Sequence, residues 1–202
     1  GAFCVWRLMS ENLAAAVAGR EGALAVTSAL YDSYSALLLY AGSCTPQVYD
    51  TVIRSKMKAC DPAFSGTWAR DYRQVLVRLA EVAPAPGSPL KAAIKFNRLV
   101  HMSVAARLVP VGGSLLRDSG REAHAAPSRL EGDLFDTFFL TSRQPVCVHD
   151  FVAQLRLLTA KILTDLGQHP VDVRYGRAEL NDFQSRIAAH LATPVQVAES
   201  LL

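Results

Sequence analysis

The sequence predicts an all-α protein: a single-domain multi-helix bundle of about eight or nine helices across residues 1–202, with no significant sheet. Three observations predict it. Apolar residues recur at helical spacing in one segment after another. Capping signals such as Thr45-Pro46 and Ser88-Pro89 separate these segments. No two alternating segments flank a hairpin turn. Half of the 202 residues are apolar and 19% are charged, which is enough for a sizeable core.

The stretch from Ala23 to Ala41 is the predicted central helix. It holds one charge, Asp32, and neither glycine nor proline interrupts it. Its apolar residues cover most of the circumference, which predicts a helix surrounded by others. Its length is close to that of a membrane span, but a central carboxylate would cost about 2.5–3.5 kcal/mol in a bilayer. We therefore expect no membrane span, and a buried Asp32 would need a basic partner, expected from residues 51–110.

The other helices follow from the same periodicity and from the positions of glycine and proline. A long surface loop is predicted at 110–128, where glycines accumulate, and a short extended piece at 171–175. Thr193-Pro194 is interpreted as the start of a last turn, because proline favours helix starts. The remaining helices are predicted at residues 3–18, 45–60, 65–82, 88–108, 128–141, 146–166 and 179–191.

Positive charge is concentrated in the middle of the chain. The net charge is +3, but residues 51–110 carry ten basic and three acidic residues, which is +7 for this block and −4 for the remainder. An anion-binding surface for an acidic protein or a nucleic acid is one interpretation, and a solvated helix face is the other. No zinc finger, basic zipper or RNA-recognition motif accompanies the charge. The candidate binding residues of this basic face are Lys91, Lys95, Arg98, Arg70 and Arg73.

One group of residues resembles a catalytic metal site. His149 and Asp150 are adjacent in Cys147-Val148-His149-Asp150-Phe151, and His101 precedes them by about fifty residues. This arrangement resembles the HD-domain phosphohydrolases, which are all-helical enzymes. The resemblance implies a divalent metal that activates water, held by His101, His149, Asp150 and Asp182. The flanks depart from the family, since Gln-Pro-Val-Cys precedes the pair and no glycine follows it. The alternative is that residues 146–150 simply begin a helix, where Asp150 suits the helix dipole.

The remaining titratable residues show no constellation. His124, His169 and His190 stand alone, and Glu179 with Asp182 is an ordinary i, i+3 pair. The four cysteines include no C-x-x-C pair, so zinc is not expected, and reduced thiols in an intracellular protein are expected instead. The alternative is two disulfides in a secreted protein, with Cys44 and Cys60 as the nearest pair. Arginine outnumbers lysine 16 to 5, a bias typical of GC-rich coding in an actinobacterium or a large DNA virus. Phe135, Phe138 and Phe139 are interpreted as core.

We therefore predict a non-enzymatic interaction or scaffold module without a cofactor. It would bind a macromolecular partner, protein first and nucleic acid second, through the basic face and apolar grooves. Self-association through Leu201-Leu202 is a further hypothesis. The alternative function is the metal-dependent phosphohydrolase of the HD type.

Overall fold

The computed structural model describes residues 1–110, 113–121 and 126–202, and the described part is all-α with no strand. The fold class predicted from sequence is confirmed. The central helix α2 spans Ala23–Ala41, as predicted, and α1 spans Ala2–Val17. Gly22, whose φ is 76°, turns the chain between them in a conformation that favours glycine.

Helix α2 joins two hydrophobic cores. Leu30 and Tyr31 lie in a core formed with α1 and with the helices at residues 70–82, 129–138 and 148–168, whereas Ala36 and Leu39 lie in a second core. The second core includes residues of the helices at 89–108, 178–184 and 187–199. Because α2 buries side chains on both sides, its sequence is apolar around most of its circumference. None of the described helices is long and apolar enough to cross a bilayer.

The helix predicted at 45–60 forms, with an irregular middle. Helix α3, Pro46–Val48, begins where Thr45 Oγ1 accepts a hydrogen bond from the Val48 amide at 3.2 Å. A π-helical segment, Tyr49–Arg54, follows, and α4, Ser55–Cys60, completes the run. A 3₁₀ turn at Gly66–Trp68 precedes α5, Arg70–Val82, which packs on α1.

Helix α6, Pro89–Leu108, packs along α2. Ser88 caps it, since its hydroxyl accepts from the Lys91 amide at 3.3 Å. Gly42 ends α2 directly against Val104 of α6, where a Cβ atom would clash. The loop predicted at 110–128 contains a short helix α7, Leu115–Asp118. Its residues 111–112 and 122–125, including His124, lie outside the described residues.

Helix α8, Arg129–Phe138, is tied to α5 by ion pairs around a buried carboxylate. Asp136 accepts from two nitrogens of Arg143, at 2.6 and 2.8 Å, and from Arg70 at 3.2 Å. Arg143 also donates to Asp71 of α5 at 2.9 Å, and Arg70 to Asp133 at 2.6 Å. The predicted core role of the phenylalanines holds for Phe135, which is buried among the aromatic rings of the first core.

The C-terminal helices differ from the prediction. Helix α9 spans Val148–Gln168, but the single helix predicted at 179–191 is two helices, α10 at Ala178–Gln184 and α11 at Ile187–Glu199. Pro194 lies inside α11 and does not open a last turn. Residues 171–175 are not helical. They are held by Asn181, which exchanges two hydrogen bonds of 3.0 Å with the Tyr175 main chain.

Candidate functional site

A groove of about 660 Å³ lies between α2, α6, α10 and α11. Its volume falls within the range of about 300–1,000 Å³ that is typical of small-molecule sites, and such sites often lie between the helices of bundles. The groove has apolar walls and charged groups at the α10–α11 side. Its lining residues are Ala25, Ser28, Ala29, Asp32, Pro89, Ala92, Ala93, Phe96, Glu179, Phe183, Arg186 and His190.

The two long walls have the same residue spacing. Helix α2 and helix α6 each contribute residues at i, i+3, i+4 and i+7, so each helix presents a single face to the groove. The middle positions are alanines, Ala29 on α2 and Ala92 and Ala93 on α6. Short side chains at these positions leave the groove open where larger residues would fill it.

Among the residues that the structure describes, His190 of α11 is the one histidine that lines this groove. Its ring stacks on Phe183, with the ring centroids 4.2 Å apart and the planes 8° from parallel. Its Nε2 atom is buried and finds no hydrogen-bond partner among the described residues. Burial lowers the pKa of the imidazole; nearby Asp32 acts in the opposite direction, and Arg186 adds to the lowering. The neutral imidazole, which is the form that binds metal ions, is therefore favoured.

Asp32 faces the same groove from α2. Burial raises the pKa of its carboxyl group, and this effect outweighs the opposing influence of His190 and Arg186. The basic partner predicted from residues 51–110 was expected for a buried Asp32; the residue is half-buried, and no ion pair joins it to that block in the described residues. The positive charge acting on Asp32 comes instead from Arg186 and, when protonated, His190, which the separation of α10 and α11 brings to the groove.

The main chain of His190 is held by α2. Its carbonyl oxygen accepts from the Ser33 hydroxyl at 2.8 Å, and the same hydroxyl lies 3.0 Å from the Ala29 carbonyl. In a regular helix the amide four residues later would donate to the His190 carbonyl. That position is Pro194, which has no amide hydrogen. Ser33 therefore supplies a donor that α11 lacks.

Two further features give the groove binding character. Phe96 of α6 and Phe183 of α10 pack with their centroids 4.8 Å apart, so one end of the groove is aromatic. The Ser28 hydroxyl is a buried polar group without a hydrogen-bond partner among the described residues. Arg186 and Glu179 are exposed at the rim. The groove accordingly offers apolar and aromatic surface together with both acidic (Asp32, Glu179) and basic (Arg186) side chains.

The predicted basic residues are placed on two helices. Lys91, Lys95 and Arg98 are exposed on α6, which packs on α2, whereas Arg73 is exposed on α5, which packs on α1. Arg70 is half-buried and engaged with Asp133 and Asp136. Anion binding by the basic face stays a prediction.

The metal ligands implied by the resemblance to HD-domain enzymes are not brought together. His101 lies on α6, His149 and Asp150 on α9, and Asp182 on α10, all exposed. In the part of the chain that the structure describes, no three His, Cys, Asp or Glu side chains are grouped so that they could hold a metal ion. The simpler interpretation of Cys147 and Asp150 agrees with the structure. Residue 147 caps α9, and its sulfur accepts from the Asp150 amide at 3.4 Å.

Comparison with known families points to an enzyme. The family model of SfmD 3-methyl-L-tyrosine peroxygenase matches residues 3–97, just under half of the chain. The matched stretch runs from α1 into α6 and includes both long walls of the groove. No curated protein matches the chain. The prediction of a non-enzymatic interaction module is therefore wrong, because the matching family is one of haem-dependent enzymes. The HD-type phosphohydrolase alternative is corrected as well, because the matching family is a peroxygenase and the implied metal ligands lie apart in the described residues.

A haem group, which this family implies, can be tested against the residues present. Haem iron is bound by His, Cys, Met or Tyr side chains, and all five histidines of this chain lie outside the matched stretch. His190 lies in the groove, and its unpartnered, neutral imidazole suits an axial ligand. Because its Nε2 atom is covered by protein atoms, coordination through that nitrogen requires the ring to turn away from Phe183. In the chemistry of its donors, one imidazole and one exposed guanidinium from Arg186, the groove fits the group.

Sequence reasoning missed His190 because the residue stands alone in the chain. Two local signals were available. Pro194 follows it by four residues, which leaves the His190 carbonyl without an intrahelical donor. The alanines of α2 and α6 that share the groove have the spacing of a single helix face. Neither signal identifies a groove until the helices are packed.

Proposed function

We propose that this chain forms the haem-binding part of a peroxygenase-type oxidative enzyme, with the groove between α2, α6, α10 and α11 as its site. The observation that carries the proposal is the half-buried His190 imidazole, with a covered and unpartnered Nε2 atom and a lowered pKa, beside an open, alanine-walled groove. The family match to residues 3–97 supports an oxidative role, since it covers the helices that supply the two long walls. His190 would bind the iron, and Arg186 would pair with the carboxylates of the group.

The haem would supply peroxide-driven transfer of one oxygen atom to the substrate, with the second peroxide oxygen leaving as water. The chain's residues have separate tasks. The alanine walls admit a flat ring, and the aromatic end formed by Phe96 and Phe183 would receive an apolar or aromatic substrate. Asp32, whose pKa is raised by burial, would lie beside the bound group as the acidic residue of the α2 wall. The substrate we propose is a phenolic amino acid, the class named in the description of the matched family.

Titration of the purified chain with haemin tests the binding step. For the unsubstituted chain we expect a stoichiometric complex with a shifted Soret band. For His190→Ala we expect either no shift or a Soret band at a different wavelength, because the iron would lack the His190 ligand. His169→Ala is the matched control, because it removes an exposed histidine at the end of α9. The same shift in His190→Ala and in the unsubstituted chain would refute the role of His190, and absence of haemin binding by the unsubstituted chain would refute the proposal.

Catalysis is tested with the haem-loaded chain, hydrogen peroxide and 3-methyl-L-tyrosine. The expected product carries one added oxygen atom, detected by mass spectrometry, and its oxygen derives from labelled peroxide. Label from molecular oxygen or from water in the product would contradict the peroxygenase assignment while leaving haem binding intact.

A further inference from the structure

Helix α11 contains an internal proline at a position where a regular helix would bond to His190. Pro194 cannot donate to the His190 carbonyl, and an unsatisfied buried carbonyl would destabilise the fold. The Ser33 hydroxyl, which is fully buried on α2, lies 2.8 Å from that oxygen. The two residues that determine this bond therefore belong to different helices, and neither of them lines the groove.

We propose that Ser33 and Pro194 act together as a positioning pair that fixes His190 relative to α2. Pro194 leaves the His190 carbonyl free, and Ser33 anchors that carbonyl to the helix that supplies Ala25, Ala29 and Asp32 to the groove. The functional meaning of the pair rests on the proposed role of His190 as the iron ligand. The structural claim, that α2 holds the His190 main chain, stands apart from that role.

The geometry shows why a serine at this position is specific. The Ser33 hydroxyl has one hydrogen and two carbonyls within reach, that of His190 at 2.8 Å and that of Ala29 in its own helix at 3.0 Å. An ordinary buried helical hydroxyl bonds only to its own helix, as Thr27 does to Ala23 at 2.8 Å. Thr27 is also fully buried on α2, so it is a matched control that loses a helical hydroxyl without losing a link to α11.

The first experiment uses the haem-free protein, labelled with ¹⁵N at the histidine rings. The His190 ring signals are assigned by their loss in His190→Gln. In Ser33→Ala we expect these signals to shift and broaden, because the backbone that carries the ring gains freedom. In Thr27→Val we expect them to stay in place. Equal changes in the two variants, or no change in Ser33→Ala, would overturn the positioning role.

The second experiment asks whether the effect depends on Pro194. Pro194→Ala restores an amide that can donate to the His190 carbonyl, so Ser33 becomes dispensable. We expect Ser33→Ala to weaken haemin binding roughly three- to tenfold in the unsubstituted background, the worth of one hydrogen bond. In the Pro194→Ala background the same substitution should change haemin binding by less than about twofold. The same loss in both backgrounds would overturn the pairing.

The two readouts separate this inference from the proposed function. If haemin does not bind to the unsubstituted chain, the proposed function fails, and the ring signals of the haem-free protein still decide the positioning role. If haemin binds through His190 and Ser33→Ala behaves like Thr27→Val in both readouts, the positioning role fails and the proposed function stands.

Discussion

The Ser33 hydroxyl donates a 2.8 Å hydrogen bond to the carbonyl of His190, across 157 positions of sequence. This bond connects the central helix α2 to α11 at His190, whose ring lines the groove. It exists because Pro194 leaves the carbonyl without its usual donor. A local irregularity in one helix is thus compensated by a side chain of another, and the compensation determines where His190 lies.

Replacement of Pro194 by alanine should stabilise the protein. The new amide would donate to the His190 carbonyl, and the steric conflict of proline within a helix would be removed. The greater freedom of the unfolded chain opposes part of this gain. We expect the free energy of unfolding in urea to rise by about 1 kcal/mol. Pro46→Ala is the control, because Pro46 is the first residue of α3 and needs no amide there. A loss of stability in Pro194→Ala would show that the Ser33 bond cannot be replaced locally.

Much of the fold could be predicted from local signals. The bounds of α2 were predicted correctly because glycines flank it and no helix breaker lies within it. The starts of α3 and α6 follow from Thr45-Pro46 and Ser88-Pro89. In each, the capping side chain accepts from an amide only three residues later, and proline is the first helical residue. Pro194 was misinterpreted because the same residue type favours a helix start, and the donor that permits it inside a helix lies on α2.

The candidate site could not be predicted, because its parts come from four helices. Residues at i, i+3, i+4 and i+7, half of them alanine here, have the same pattern whether they line a core or a groove. The sequence predicts a partner for Asp32 in the basic block of residues 51–110. A high density of charge along the sequence does not determine which basic side chains lie near Asp32 in the fold. Arg186 acts on Asp32 through its charge because the chain breaks between α10 and α11, and that break carries neither glycine nor proline.

The stability contributed by His190 should depend on pH. Burial lowers the pKa of its imidazole in the folded state, so the stabilisation is present above the unfolded pKa of about 6.5 and is lost as the pH falls through the folded value. We expect the difference in unfolding free energy between the unsubstituted chain and His190→Gln to shrink from about pH 7 to pH 5. His169→Gln corrects for the general loss of a histidine. If the difference in unfolding free energy between the unsubstituted chain and His190→Gln grew as the pH fell, the lowered pKa of His190 would be contradicted.

The carboxylate of Asp136 should contribute far more to stability than that of its neighbour Asp133. The Asp136 side chain is 9% exposed and pairs with both Arg70 and Arg143, whereas Asp133 is 53% exposed and pairs with Arg70 near the surface. We expect Asp136→Asn to lower the unfolding free energy by about 3 kcal/mol, because two guanidinium groups lose a buried partner. Asp133→Asn should cost less than about 1 kcal/mol. Similar losses in the two variants would show that burial of Asp136 adds nothing to its ion pairs.

Asp32→Asn should stabilise the protein at neutral pH and leave it nearly unchanged in acid. Burial raises the pKa of Asp32, so its folded form favours the protonated state, and stability is lost as the pH rises through the folded value. Asparagine does not ionise, so the variant has no such loss. Its gain in unfolding free energy, measured in urea, should appear as the pH rises above the usual range of aspartate pKa values and should then stay constant. In this variant the His190 pKa should also fall further, because Asp32 no longer supports the imidazolium. Ring titration by NMR measures that shift, and an unchanged His190 pKa would show that the two groups do not interact across the groove.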